Sequence, residues 1–219
     1  HMDNQITYPY IEEFLNNLLP PTDAFLCELE AACRKENIPA AVRPTARLLY
    51  ALAAVKQPQT VLEIGTAAGF SALNLYLGSG KRAQIVTIEK DEERFLTARQ
   101  NFRRYGALGH IKPICGDAEE EICRLDYRFD MAFIDAAKGA SLRYFELIRP
   151  KMKPGGLIVT DNVLYGGRTA ENGIPAHKHR TGVCAMREYL RFLCHTPGLI
   201  TSVLPVGDGV ALTVLEQET

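Results

Sequence analysis

The sequence predicts one α/β domain built on a mostly parallel sheet, and three observations carry that expectation. From Thr60 onward, short β-rich runs alternate with stretches of helical periodicity, the pattern of βαβ units. The chain has 219 residues, enough for one such domain with a substantial core and few for two. Near the C-terminus two apolar runs flank a Gly-rich turn, which predicts an antiparallel hairpin at the end of the sheet.

Taken in order, residues 3–56 read as a helical extension and residues 57–219 as the core of the same domain. Helical character starts at Pro9, and Pro20-Pro21-Thr22-Asp23 interrupts it before a second helix that reaches Asn37. Residues 38–43 form a connector. Pro44 suits the first turn of a third helix, which carries Leu48, Leu49, Leu52 and Val55 at helical spacing. Strands are expected over residues 60–64, 84–88, 111–114, 131–135 and 157–161, with helices between them over 70–77, 91–105, 118–125 and 141–152. A last helix over 183–194 precedes the hairpin, 200–204 and 210–215 around the turn 205–209.

Composition narrows the class. Apolar residues make up 47% and charged residues 23%, and the formal net charge is −1, so no global basic field attracts nucleic acid. His1 and Met2 read as a cloning remnant followed by the natural start. No apolar run approaches the roughly 18 residues that span a bilayer, so a soluble, cytoplasmic protein without membrane contact is expected. The six cysteines contain no C-x-x-C pair, and reduced, mostly buried thiols fit that setting.

Val61-Leu62-Glu63-Ile64-Gly65-Thr66-Ala67-Ala68-Gly69-Phe70-Ser71 is a buried strand, a Gly-containing turn and the start of a helix. In an open parallel sheet, ligands bind at the carboxyl ends of the strands. The next strand ends at Glu89, 24 residues after Gly65, where an acid suits the hydroxyls of an adenosine ribose. A dinucleotide would need glycine where Ala67 stands, so its pyrophosphate could approach the backbone. An adenosine cofactor without phosphates does not, and an NAD-dependent reaction is disfavoured. Asp117, at the end of the third strand, suits either the adenine amino group or the cap of the following helix.

Two further strands deliver Asp135 and Asp161-Asn162 to the same rim. Two carboxylates and an amide oxygen are hard donors that suit Mg²⁺, Mn²⁺ or Ca²⁺. Lys138 follows Asp135 by three residues and could accept a proton from a hydroxyl activated by such a cation. Read singly, either Asp could instead cap a turn, and Lys138 could be a solvated surface residue.

At these residues the chain resembles the cation-dependent O-methyltransferases related to catechol and caffeoyl-CoA O-methyltransferases. The matching segments are Leu62-Glu63-Ile64-Gly65-Thr66, Glu89-Lys90-Asp91, Gly116-Asp117-Ala118, Phe133-Ile134-Asp135-Ala136-Ala137-Lys138, Lys153-Pro154-Gly155-Gly156 and Thr160-Asp161-Asn162-Val163. The resemblance implies a Rossmann-like fold with a seven-stranded sheet, S-adenosylmethionine as cofactor and a homodimer. It implies Asp135, Asp161 and Asn162 as metal ligands, and Lys138 with Asp135 in catalysis. It also implies a cofactor site lined by Glu63, Gly65, Thr66, Ser71, Glu89, Asp117, Ala118 and Asp135, with Val42 and Arg43 closing over it.

The residues after Asn162 are most similar to the bacterial branch that methylates 5-hydroxyuridine at the tRNA wobble position. From Arg168 to Arg191 five cationic residues face Glu171 and Glu188, so Lys178, Arg180 and Arg187 are candidate phosphate contacts. A solvated helix face explains Arg187 and Arg191 equally well. His177 and His179 are expected to face solvent rather than bind metal. Three functions stay open: methylation of a tRNA hydroxyl, methylation of a small catechol or phenol, and non-catalytic RNA binding on the same scaffold. The set Asp135, Lys138, Asp161 and Asn162 argues against the last.

Overall fold

The computed structural model describes residues 6–20, 23–135 and 139–216. Three helices come first: α1 (Pro9–Leu18), α2 (Ala24–Glu36) and α3 (Arg43–Lys56). The core then alternates β1 (Thr60–Ile64), α4 (Phe70–Gly78), β2 (Gln84–Glu89), α5 (Glu92–Tyr105), β3 (Ile111–Cys115), α6 (Ala118–Arg124), β4 (Phe129–Ile134), α7 (Ser141–Ile148) and β5 (Met152–Thr160). It ends with α8 (Arg180–His195), β6 (Leu199–Leu204) and β7 (Val210–Leu215).

The seven strands lie in the order β3-β2-β1-β4-β5-β7-β6. The first five run parallel, and β7 enters antiparallel between β5 and β6, as the terminal hairpin predicts. Successive strand residues point to opposite faces of a sheet. Val61, Met131, Phe133 and Val159 therefore pack into one layer with α2, α3, α4 and α5. Leu62, Ile64, Ala132, Ile134 and Ile158 pack into the other with α6, α7 and α8. Both faces are covered, so the central strands are apolar throughout and their polar ends collect at the rims.

Several boundaries shift from the sequence expectation for local reasons. The helix expected to reach Met152 stops at Ile148, because Pro150 lacks the N–H to continue it and the chain tightens into a 3₁₀ turn over Arg149–Lys151. Strand β5 then begins at Met152 and carries Pro154-Gly155-Gly156, which an irregularity between Phe129 and Met131 of β4 accommodates. Asp135 and Asp161 each stand one residue beyond their strands rather than inside them. Helix α1 buries none of its residues and joins the body partly through its Asn16 carbonyl, which accepts from the Arg43 guanidinium.

The six cysteines are free, but most are not buried as expected. Cys33 alone is buried, whereas Cys115, Cys123, Cys184 and Cys194 are exposed. Three of these lie on the solvent sides of α6 and α8, which an apolar neighbourhood in sequence does not reveal. Among the described residues no helix is long and apolar enough to cross a membrane.

Phe133 sits on a central strand with no exposed surface. Its replacement by alanine should cost about 3–5 kcal/mol of unfolding free energy in a urea titration. A loss under about 1 kcal/mol would contradict this account of the core.

Candidate active site

A cleft of about 280 Å³ opens at the carboxyl ends of β1, β2, β3 and β4, lined by Gly65, Ala67, Glu89, Gly116, Ala118 and Asp135 among others. Larger hollows lie between α2 and α5 and beside α8, away from the strand ends that carry the clustered carboxylates.

Gly65 makes the cleft floor. Its φ is 92°, and a Cβ there would lie 2.1 Å from the Asp135 carbonyl oxygen. Only glycine lets the first turn pass this close to the end of β4, so cofactor turn and candidate metal ligand share one wall. Ala67 is also left-handed, at φ 47°, which costs an L-residue about 1–2 kcal/mol. Its N–H donates to Glu89 Oε2 at 2.9 Å. Glu89 Oε1 accepts from the Asp91 N–H at 3.0 Å, and the side chain is 8% exposed. Carboxylate oxygens can accept more than one bond, so this acid stays able to receive two hydroxyls.

The other expected cofactor residues divide. Ala118 lines the cleft. Asp117 caps α6 through the Glu119 N–H and pairs with Lys90 at 3.2 Å, so its carboxylate holds the rim as well as the helix. Glu63 and Thr66 do not face the cleft: each is buried, and their side chains join Ser71 and Thr87 beneath it. Val42 stands at the head of α3 against the hairpin turn at Gly207. Arg43 points away from the cleft, because its guanidinium pairs with Glu30 at 2.7 Å and with the Asn16 carbonyl. From that connector it is Pro39 that reaches the cleft.

Asp135, Asp161 and Asn162 do come together. Asn162 Nδ2 donates to Asp135 Oδ1 at 2.8 Å, and the Asn162 N–H donates to Asp161 Oδ1 at 2.8 Å. Asn162 adopts φ 63°, which asparagine tolerates better than most residues. Burial pushes the Asp161 carboxyl up to about 7, with Asp135 adding repulsion, and pushes Asp135 up to about 6. No described Lys or Arg pairs with either acid. Among the described residues no group of three or more His, Cys, Asp or Glu could hold a metal, so any cation site rests on these two acids and the amide. A half-turn of that amide exchanges its nitrogen for the oxygen that a cation would need. Lys138 lies outside the described residues.

Beyond Asn162 the chain is tied down by groups that the sequence did not single out. The Asp208 carboxylate accepts from the Gly166 N–H and its carbonyl from the Leu164 N–H, so the hairpin turn grips the segment after Asn162. Tyr165, at φ 50°, meets His179 Nδ1 through its hydroxyl at 2.9 Å, so His179 is half-buried while His177 is exposed. Arg187 binds the carbonyls of Thr169, Glu171 and Gly173. It is thus a loop clamp, neither an outward phosphate contact nor a partner of Glu188. Lys178 and Arg180 are exposed. Asp208 reads in sequence as a turn residue and Thr87 as an ordinary strand residue, so neither gave a signal.

The profile of the O-methyltransferase family matches residues 23–215. A catechol O-methyltransferase of Mycobacterium tuberculosis is 32% identical over 98% of this chain and 99% of its own length. The O-methyltransferase TomG of Streptomyces achromogenes, solved with S-adenosylmethionine, superposes with a TM-score of 0.82 at 26% identity, over 94% of this chain and 96% of that one. An O-methyltransferase of Bacillus cereus in complex with S-adenosylhomocysteine gives 0.83 at 26%, over 94% and 97%. The fold and rim thus define a Rossmann-like, S-adenosylmethionine-dependent methyltransferase. The chain belongs to the O-methyltransferase family.

The acids set a pH dependence. Asp135, Asp161 and Glu63, the last pushed up to about 8 by burial, all have folded pKa values above the usual 4 of the unfolded chain. Groups raised in this way favour the folded state below pH 4 and lose that contribution as pH rises through about 6 to 8. The cation-free protein should therefore melt at a lower temperature at pH 8.5 than at pH 5.5. Mg²⁺ held by Asp135 and Asp161 would offset their share of the loss at pH 8.5 and do little at pH 5.5. Thermal melts with EDTA or Mg²⁺ at both values test this, and a Mg²⁺ effect independent of pH would contradict it.

Proposed function

We infer that the enzyme methylates a hydroxyl of a small catechol-type phenol, with a divalent cation held by Asp135, Asp161 and Asn162. The observation that carries the cation is the pair of buried acids, both pushed toward neutrality and both without a described cationic partner, beside an amide at the cofactor cleft. A hard divalent ion satisfies that set. The catechol acceptor is supported by the near end-to-end match to a relative named for that activity.

S-adenosylmethionine supplies a methyl group already activated on a sulfonium centre. The cation, when bound, would lower the pKa of the acceptor hydroxyl and fix its position. In this reading Glu89 receives the ribose hydroxyls, while the close packing of Gly65 on Asp135 sets the donor beside the acceptor. Lys138 is proposed as the base that takes the hydroxyl proton.

A second reading, transfer to a hydroxylated uridine of tRNA, is favoured by one observation. Lys178 and Arg180 remain exposed at the start of α8, in the segment anchored to the rim by His179 and Tyr165.

Incubation of the protein with labelled S-adenosylmethionine and Mg²⁺, beside a catechol panel and unmodified tRNA, separates the two. Methylated catechol is expected, and EDTA should abolish it. Asp161→Ala should reduce kcat/KM by at least about 100-fold, the upper end of what losing an outer-sphere partner costs. Full activity in EDTA would remove the cation, and label only in tRNA would replace the catechol acceptor. In that event Arg180→Glu should impair transfer to tRNA.

A further inference from the structure

Beneath the cofactor cleft runs a chain of four buried polar side chains. Thr66 Oγ1 lies 2.5 Å from Thr87 Oγ1, Thr87 donates to Glu63 Oε2 at 2.5 Å, and Ser71 donates to Glu63 Oε1. Thr87 and Glu63 have no exposed surface, Thr66 is 1% exposed and Ser71 is 6% exposed. The members come from four places: β1 gives Glu63, β2 gives Thr87, the turn gives Thr66 and α4 gives Ser71. Three hydroxyl protons serve the three contacts. Ser71 and Thr87 each donate to one carboxylate oxygen, and Thr66 donates to the Thr87 oxygen.

Thr87 is the junction of this chain. Removing its hydroxyl leaves Thr66 Oγ1 and Glu63 Oε2 unpartnered at once, both in buried surroundings where that is costly. The turn it anchors needs such support, because Ala67 follows Thr66 directly and is held left-handed. Thr87 also shares a strand face with Glu89, two residues on, and Glu89 binds the Ala67 N–H. One residue therefore ties together the strained turn, the acid beside it and the start of α4.

We propose that Thr87 is a positioning residue for the methyl donor, acting through Thr66 and Glu63 to hold the Thr66–Gly69 turn against Glu89. This rests on the reading of the cleft as the S-adenosylmethionine site. It is distinct from the cation and acceptor chemistry, which lie on β4 and β5.

The test is calorimetric titration of S-adenosylhomocysteine into wild type, Thr87→Val, Thr87→Ser and Thr66→Val, with Mg²⁺ affinity and the acceptor KM measured in parallel. Thr87→Val keeps the shape and removes the hydroxyl, and should weaken S-adenosylhomocysteine at least about tenfold, the effect of one buried unpaired polar group where two are created. Thr66→Val should weaken it less, and Thr87→Ser should restore it to within about twofold. Mg²⁺ affinity and the acceptor KM should stay near wild type in all three. Wild-type affinity in Thr87→Val would overturn the proposal, as would parallel losses of S-adenosylhomocysteine and Mg²⁺ binding. Should Thr87→Val fail to fold, the comparison of Thr66→Val with Thr87→Ser decides on the same terms. Absence of binding to wild type would instead sink the reading of the cleft.

Discussion

Glu63, Glu89, Asp135 and Asp161 stand at or just beyond the carboxyl ends of β1, β2, β4 and β5, and the burial of these acids beside one another is the constraint around which the site is organised. Neighbouring strands lie only about 4.8 Å apart, so acids at adjacent ends interact in a poorly hydrated place. Repulsion from other members of this set adds to burial in raising Glu63, Asp135 and Asp161. The four are compensated unequally. Glu89 accepts two backbone N–H groups, and Glu63 accepts two hydroxyls. Asp135 and Asp161 receive one amide donor and one backbone donor, from the same Asn162. The shortage of donors is greatest where a cation would fit.

Such crowding survives only on a frame that cannot relax, and the fold supplies one. Apolar layers on both faces fix the strand spacing, and Gly65 locks the end of β1 against the end of β4. A side chain at position 65 would force the turn after β1 away from Asp135. Antiparallel β7 continues the same logic on the far side. It pairs with β5 along residues 157–160 and brings the hairpin turn over the segment that follows Asn162.

Much of this was legible in the sequence because it depends on periodicity. Strand–helix alternation predicted the parallel sheet, and strand ends that finish in Glu89, Asp135 and Asp161 predicted the polar rim. What escaped depends on side-chain direction. Arg43 follows a connector beside the cleft, yet its partner Glu30 lies on another helix and turns it away. Glu63 sits in the motif that marks the cofactor turn, but alternation along β1 sends its side chain under the turn instead of into the cleft. The exposed cysteines misled for a related reason: an apolar sequence neighbourhood does not say which helix face a residue occupies.

The same distinction between sequence charge and spatial charge bears on the acceptor. The basic run from Arg168 to Arg191 looks like a phosphate-binding segment when counted. In space Arg187 is spent on three loop carbonyls, and Arg168 lies over the Tyr165 ring. Lys178, Arg180 and Arg191 are left as the exposed cations of the run. Each phosphate contact with a single strand steepens the logarithmic salt dependence by about 0.7, so three contacts cost only about 20-fold in affinity between 50 and 200 mM salt. That is far below the roughly 10³-fold or greater loss of proteins that grip six or more phosphates. Electrostatic attraction through this run is therefore too slight to define an RNA substrate by itself. The catechol reading proposed above needs no such attraction, because its acceptor would be held by a cation at Asp135, Asp161 and Asn162.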